Sequence, residues 1–266
     1  MKRFILMAVC LAGLTACSGR TALPPPVPEN EAARRWEAFE ALSERSAVPS
    51  VLSGSLRFGP VNDTRRVTYL LWSNGRPPVR LDVQAGVGTT VAKVLAADGR
   101  VLLFLPEDNK AYTGEDEPDR ALRSLGLPLP LSLADMTAFL EGRYAEALQN
   151  PQVERYHASA DDAENVVYIV RSERGKSEVT LSPQALPVRW RQHPGWDVRM
   201  DFDDVTRLPR KVEGVLPGGN GTVRPEGDAY RMVLLIKERR QPERFPPAEL
   251  QLPLPAGVIP RSLDTD

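Results

Sequence analysis

The sequence has few of the side chains on which enzyme chemistry most often depends. Its 266 residues include two cysteines and two histidines. Cys10 lies in the N-terminal apolar run, and His157 and His193 are far apart, without the spacing of metal ligands or of a nucleophile and its base. We therefore expect the protein not to be an enzyme and to hold no metal ion and no cofactor.

Long apolar runs are equally scarce. Phe4–Leu14 is shorter than the roughly 20 residues that a transmembrane helix needs, and it follows two basic residues, which is the layout of an export signal. It leads into Leu14-Thr15-Ala16-Cys17, which resembles the lipobox of bacterial lipoproteins, where the cysteine is acylated and becomes the new N-terminus. The sequence thus predicts a signal peptide over residues 1–16 and a lipid anchor on Cys17.

An excess of basic charge is also absent. Removal of residues 1–16 takes away Lys2 and Arg3, which leaves 32 basic residues against 35 acidic ones and argues against nucleic acid as a partner. Residues 17–30 include Pro24-Pro25-Pro26-Val27-Pro28, a composition that favours extended polyproline II. At about 3.1 Å per residue, this predicted tether holds the following domain on the order of 40 Å from the anchor.

Residues 31–262 have the pattern of a single β-rich domain. Apolar residues at helical spacing predict helices over Glu31–Arg45, Asp116–Leu125 and Leu131–Glu141. Elsewhere, short runs of β-branched and aromatic residues alternate with turn signals such as Asn74-Gly75, which predicts antiparallel strands. The predicted strands are Val51–Phe58, Arg66–Ser73, Val79–Ala85, Thr89–Ala97, Arg100–Leu105, Asn165–Arg171, Ser177–Leu181, Pro187–Gln192, Trp196–Phe202, Leu208–Gly214 and Ala229–Lys237. The expected class is α+β, mainly antiparallel β, with about eleven strands.

Two segments resemble the LolB family of outer-membrane lipoprotein receptors. Residues 122–130 read Leu-Arg-Ser-Leu-Gly-Leu-Pro-Leu-Pro and precede Leu133, Phe139, Leu140 and Gly142. The family carries a similar Leu-x-x-x-x-Gly-x-Pro-Leu-Pro segment before a helix that ends Trp-Leu-x-Gly, so Phe139 stands where tryptophan is usual. Gly86-Val87-Gly88 is similar to the family's membrane-insertion loop, with Val87 in the place of an exposed leucine.

The resemblance implies an unclosed β-barrel, or half-barrel, whose concave face is covered or plugged by helices. It also implies a function: an outer-membrane lipoprotein on the periplasmic face that binds the acyl chains of other lipoproteins and assists their insertion. The partners would be acylated lipoproteins delivered by a LolA-like periplasmic carrier, and the protein would be a monomer. Ser18, which follows the lipidated cysteine, fits outer-membrane delivery. The residues expected to line the apolar cavity are Leu56, Phe58, Tyr69, Leu81, Val83, Val91, Leu102, Phe104, Met136, Phe139 and Leu140.

The same residues have simpler interpretations. Those of the cavity could be ordinary core, and Gly86-Val87-Gly88 could be an ordinary tight turn. The alternative function is then a lipid-anchored envelope interaction or assembly protein of the same fold, with a filled interior and no client transfer. Three further patterns favour solvated surface or turns over a calcium site, a phosphate loop or a headgroup contact: Asp201, Asp203 and Asp204; Gly218-Gly219-Asn220-Gly221; and Lys237, Arg239, Arg240 and Arg244.

Overall fold

The strands of the domain form one continuous sheet. A computed structural model describes residues 26–86, 88–115, 129–193, 195–218 and 229–263. Within these residues the strands are β1 (Ser50–Pro60), β2 (Arg65–Ser73), β3 (Val79–Ala85), β4 (Thr89–Ala97), β5 (Arg100–Leu105), β6 (Lys110–Glu115), β7 (Gln152–Ala158), β8 (Val166–Ser172), β9 (Gly175–Leu181), β10 (Pro187–Gln192), β11 (Asp197–Phe202), β12 (Pro209–Leu216), β13 (Tyr230–Arg240) and β14 (Arg261–Ser262).

The order of the strands leaves the sheet unclosed. It runs β14-β6-β5-β4-β3-β2-β1-β13-β12-β11-β10-β9-β8-β7, so that β14 and β7 are the two edges of the described sheet. Neighbours are antiparallel throughout, apart from the short parallel pair β14 and β6. The expected class, a mainly antiparallel unclosed barrel with helices on its concave face, is confirmed.

Three strands were missed by the sequence analysis. β6 has two large or apolar side chains among six residues, and β7 is an edge strand with a mostly exposed pattern, so neither shows the alternation that marks a half-buried strand. β14 is two residues long. The described sheet therefore has fourteen strands where about eleven were expected.

Among the described residues, three α-helices accompany the sheet: α1 (Glu29–Ser43), α2 (Leu133–Leu140) and α3 (Tyr144–Ala147). A short 3-10 helix spans Pro247–Leu250. The expected first helix is present, shifted by two residues toward the N-terminus, where Pro28 occupies the cap. Ser132 caps α2 by accepting a hydrogen bond from the amide of Asp135 at 3.1 Å. The helix predicted over Asp116–Leu125 lies outside the described residues. In the part of the chain that the structure describes, no helix is long and apolar enough to span a bilayer.

The two ends of the sheet differ, and each is named by its connections. The upper end carries the connections 61–64 and 86–88, and the lower end carries the connections 74–78 and 98–99. At the lower end, side chains of α1, α2 and α3 and of the strands β8 and β11 fill the interior with an aromatic cluster of Trp36, Phe39, Phe139, Tyr144, Tyr168 and Phe202. Neighbouring rings in it lie 4.9 to 6.4 Å apart, a separation typical of aromatic packing. This end of the barrel is therefore closed.

A buried ion pair locks α2 and α3 to the lower end. The Arg143 guanidinium lies 2.7 Å from the Glu141 carboxylate, and both side chains are less than a tenth exposed. Glu141 also accepts hydrogen bonds from the hydroxyls of Ser50 and Ser73, at 2.5 and 3.2 Å, while Arg143 donates to the carbonyl oxygen of Gly75. A buried ion pair is tolerated when hydrogen bonds such as these fill most of its remaining positions; the Nε atom of Arg143 is buried without a partner.

The C-terminal segment crosses the outer, convex face of the sheet. The side chain of Asn74 exchanges two hydrogen bonds with the backbone of Phe245, at 3.0 and 2.9 Å, and Arg80 donates to the carbonyl oxygen of Gln251 at 3.0 Å. Leu252 then packs on Phe104 and Ala111 of the outer face. This cover explains why β5 is apolar on both faces.

We expect Arg143→Ala to lower the free energy of unfolding by about 3 kcal/mol, because it leaves the buried Glu141 carboxylate without its cation. Urea unfolding followed by circular dichroism measures the change. The matched control is Arg171→Ala, which breaks the more exposed ion pair with Glu154 and should change stability by less than about 1 kcal/mol. Equal losses in the two variants would show that the buried pair has no special role.

Candidate functional site

The concave face carries most of the residues that the sequence assigned to a cavity. Six of them are buried in the central core: Leu56, Tyr69, Val83, Met136, Phe139 and Leu140. Three more, Phe58, Leu81 and Val91, are partly exposed and pack against the same core. The nine residues therefore lie on one continuous apolar surface between the sheet and the helices.

Leu102 and Phe104 do not belong to this surface. Successive side chains of a strand point to opposite faces, and in β5 it is Val101 and Leu103 that join the central core. Leu102 and Phe104 lie on the outer face with Leu252. Their assignment to the cavity was wrong because a strand that is apolar on both faces gives no sign of which set faces inward.

The apolar lining becomes accessible toward the upper end. At the lower end the inward-facing side chains of Leu52, Val79 and Val101 are at most 2% exposed. Near the upper end, six apolar side chains that pack against the core are only partly buried. These six, the mouth residues, are Phe58, Val67, Val91, Leu105, Leu216 and Tyr230. The barrel is thus filled at one end, and its apolar interior reaches the surface at the other.

Four of the mouth residues were missed by the sequence analysis: Val67, Leu105, Leu216 and Tyr230. The signal for Val67 was available, since it lies two positions from Tyr69 in the same strand and so shares its face. Tyr230 and Leu216 are paired with each other at the ends of β13 and β12, which only the register of the sheet reveals.

Most polar groups that reach the interior are hydrogen-bonded within the protein, although the Nε1 atom of the core residue Trp196 is buried without a partner. Arg239 faces inward at the lower end, where its guanidinium donates to the carbonyl oxygen of Leu140 at 2.8 Å and to that of Pro209. Burial lowers the pKa of Arg239. The Tyr69 hydroxyl lies 3.3 Å from the carbonyl oxygen of Leu235, and burial raises the pKa of this phenol well above its usual range. What remains for a ligand in this interior is mainly hydrocarbon surface.

The inward position of Arg239 corrects one expectation. The sequence grouped it with Lys237, Arg240 and Arg244 on a basic surface. A register shift at Ser53/Gly54, between β1 and β13, places Arg239 opposite Leu52, a core residue. The surface therefore has one cation fewer than its sequence indicates.

The connection between β3 and β4 lies at the upper end, beside the mouth residues. Gly86 and Gly88 have φ angles of 58° and 81°, a backbone region that favours glycine, and both are exposed. Val87, the predicted tip of the insertion loop, lies outside the described residues. The pair of glycines is consistent with a tight turn at this position.

The groups considered for other chemistry are dispersed. His157 lies on β7 with its Nδ1 atom 2.9 Å from the carbonyl oxygen of Ala158, and His193 lies 3.4 Å from Glu178. Asp203 accepts hydrogen bonds from the amides of Val205 and Thr206, which holds a turn. These hydrogen bonds lower the pKa of Asp203. The described residues contain no group of three potential metal ligands. The glycine-rich turn proposed at 218–221 falls mostly outside them.

A cavity of about 260 Å³ lies on the outer face of β7 to β11. Its walls include Arg189 and Arg191, whose guanidiniums lie 2.5 and 2.9 Å from the carboxylates of Asp197 and Glu178. The Arg189 guanidinium holds the pKa of the Asp197 carboxyl below its usual value. The cations of this cavity are largely neutralised by its own acids, and it is separated from the apolar interior by the sheet.

Solved structures of other proteins share this architecture. A LolA superfamily protein from Nitrosomonas europaea is similar over 83% of this chain and 97% of its own, with a TM-score of 0.55 and 12% identity. A DUF1329 family protein from Desulfovibrio piger is similar over 82% of this chain and 96% of its own, with a TM-score of 0.51 and 9% identity. No family model and no curated protein match the sequence. The chain thus has the LolA-like fold.

Proposed function

We propose that this chain is an outer-membrane lipoprotein that takes the acyl chains of other lipoproteins into its apolar cavity and assists their insertion into the outer membrane. The observation that carries the proposal is the set of mouth residues. Six partly exposed apolar side chains packed against the core at one end of a barrel form an entrance for hydrocarbon. The LolB-like segments of the sequence supply the class of client.

The driving force for uptake is the burial of acyl methylene groups. Each contributes about 0.8 kcal/mol when it leaves water. The mouth residues are apolar and have few unsatisfied polar groups behind them. Binding of a hydrocarbon chain therefore buries few polar groups, and a charged ligand finds no partner among the mouth residues. Such a site selects lipid without recognising any particular protein attached to it.

Release to the membrane requires that the cavity bind the chain less favourably than the bilayer does. The aromatic cluster fills the lower end, where Phe39 and Tyr144 are fully buried. An acyl chain would therefore find apolar contacts over part of the barrel only. Transfer then follows differential affinity, and it needs no covalent chemistry, no cofactor and no enzymatic step.

Attachment to the outer membrane would come from acylation of Cys17, and the client would arrive from a LolA-like periplasmic carrier. A lipid anchor keeps the receptor at the membrane that it serves, since two or more acyl chains suffice for stable attachment. The protein would act as a monomer.

The first test places a charge at the mouth. We expect Val67→Glu to reduce client uptake roughly tenfold or more, because a carboxylate at the mouth opposes entry of hydrocarbon. The matched control, Thr68→Glu, changes the neighbouring residue of the same strand, which is exposed on the opposite face. Uptake is measured by native mass spectrometry of the mature chain carrying Cys17→Ser, after incubation with an acylated lipoprotein on its carrier.

Failure of the unmodified domain to acquire client or lipid would refute the receptor function. The alternative, an envelope interaction or assembly protein with a filled interior, would then be preferred. The closed and aromatic lower end favours it, because that part of the barrel is already packed like a core.

A second test concerns the loop Gly86-Val87-Gly88. By its resemblance to the insertion loop of LolB-like receptors, Val87→Glu should leave client uptake unchanged and block transfer to vesicles, because a charged tip does not enter the bilayer. The control is Val205→Glu, at an exposed valine of the lower end. Transfer is measured as client recovered with floated vesicles. Normal transfer by Val87→Glu would remove the loop from the mechanism.

A further inference from the structure

We propose that the upper end of the barrel also carries a membrane-contact surface, the β1–β2 rim, formed by Arg57, Val61, Arg65 and Arg66. Its partner is the headgroup region of an anionic phospholipid bilayer. This surface rests on the proposed function, in which the mouth must come close to the membrane. Its binding to membranes can be tested without any client.

Two arginines of the rim face one another, and the described residues supply no acid to balance them. Arg57 and Arg66 are direct partners in the register of β1 and β2, and both are exposed. Like charges directly opposite on neighbouring strands are destabilising. Among the described residues, no carboxylate forms an ion pair with Arg57, Arg65 or Arg66.

A cation on the next strand, in contrast, has an acidic partner. Arg231, one strand away on β13, lies 2.5 Å from Glu213, which also binds Lys211 at 2.9 Å. Arg57 and Arg66, which lie on the same outer face, have no such carboxylate partner among the described residues. An anion outside the protein would relieve their mutual repulsion.

Val61 is held at the tip of the same hairpin by the backbone. Its amide donates to the carbonyl oxygen of Ala229 at 3.0 Å, and the amide of Asp63 donates to that of Pro60 at 2.9 Å. Gly59 makes the tight approach possible, since a Cβ atom there would lie 2.4 Å from the Asp63 carbonyl oxygen. Val61 is nevertheless 47% exposed. The hairpin therefore presents an apolar side chain at a fixed place beside the cations.

A second apolar side chain is exposed at the same end. Arg261 of β14 is paired in parallel with Tyr112, so Ile259 lies beside the beginning of β6, at the upper end, where it is 82% exposed. Apolar side chains next to unpaired arginines are the combination that binds anionic membrane surfaces, since the chains enter the interface and the cations attract the headgroups.

The predicted tether is long enough for this orientation. α1 begins near the lower end, where Tyr168 donates to the carbonyl oxygen of Ala32 at 2.8 Å and Arg35 donates to that of Glu164 at 2.6 Å. From Cys17 to Pro28 an extended chain reaches about 35 Å. The 11 residues of β1 span a similar length, about 35 Å. The upper end can thus face the bilayer although the chain enters the domain at the other end.

The experiment is flotation of the mature chain carrying Cys17→Ser, with vesicles of phosphatidylethanolamine alone or mixed with phosphatidylglycerol. We expect binding to the mixed vesicles only, weaker at high salt. Arg57→Gln with Arg66→Gln should weaken it roughly 25-fold, about fivefold for each arginine. Val61→Asp should weaken it as well. The matched controls at the lower end, Arg210→Gln and Val205→Asp, should bind like the parent chain.

Absence of binding to the mixed vesicles, or equal losses in the rim and control variants, would overturn the proposal. So would rim variants that bind vesicles normally but no longer receive client from the carrier, because the surface would then contact a protein. Thermal unfolding of each variant checks that it is folded. Client uptake is measured separately by native mass spectrometry. A chain that binds vesicles but never accepts client would refute the receptor function and would still support the membrane-contact surface.

Discussion

The pairing of β1 with β13 is the constraint on which the rest of the domain depends. All other neighbouring pairs apart from β14 with β6 join strands that follow one another in the chain, so each half of the sheet is a simple meander. β1 and β13 are far apart in sequence, and their register runs from Val51 opposite Arg240 to Pro60 opposite Tyr230. Without this ladder the two meanders would be separate sheets, with neither large enough to enclose an interior.

The same pairing accounts for details at the site. A Cβ atom on Gly54 would lie 1.8 Å from the Leu235 carbonyl oxygen, so the two strands can approach here only because this residue has no side chain. The register shift beside Gly54 gives the ladder an irregularity, which increases local twist. It also turns Arg239 inward, where the guanidinium donates to the carbonyl oxygen of Leu140, the last residue of α2. Gly54 thus helps to determine both the curvature of the sheet and the position of α2 against it.

The sequence predicted those parts of the structure that local pattern decides. β2 to β5 fall within one residue of their predicted bounds, because hydrophobic runs and turn residues mark them clearly. Leu102 and Phe104 show the limit: whether an apolar side chain faces inward depends on the tail segment that covers the other face, more than 140 positions along the chain. The mouth residues depend on sheet register, and Arg239 on a bulge. None of these is a property of a short window, so pattern reasoning could not find them.

The late position of β13 in the chain also has a consequence for the folding of the newly made protein. Synthesis proceeds from the N-terminus, and about 170 residues separate the end of β1 from the start of β13. A chain that is made and delivered from its N-terminus presents β1 well before β13, so β1 is at first without its partner. During that interval the outer edge of the β1 to β6 meander exposes a row of unsatisfied backbone groups, which is a template for pairing with other chains. The edge of β1 is therefore the part of the incomplete domain most exposed to pairing with other chains until β13 covers it.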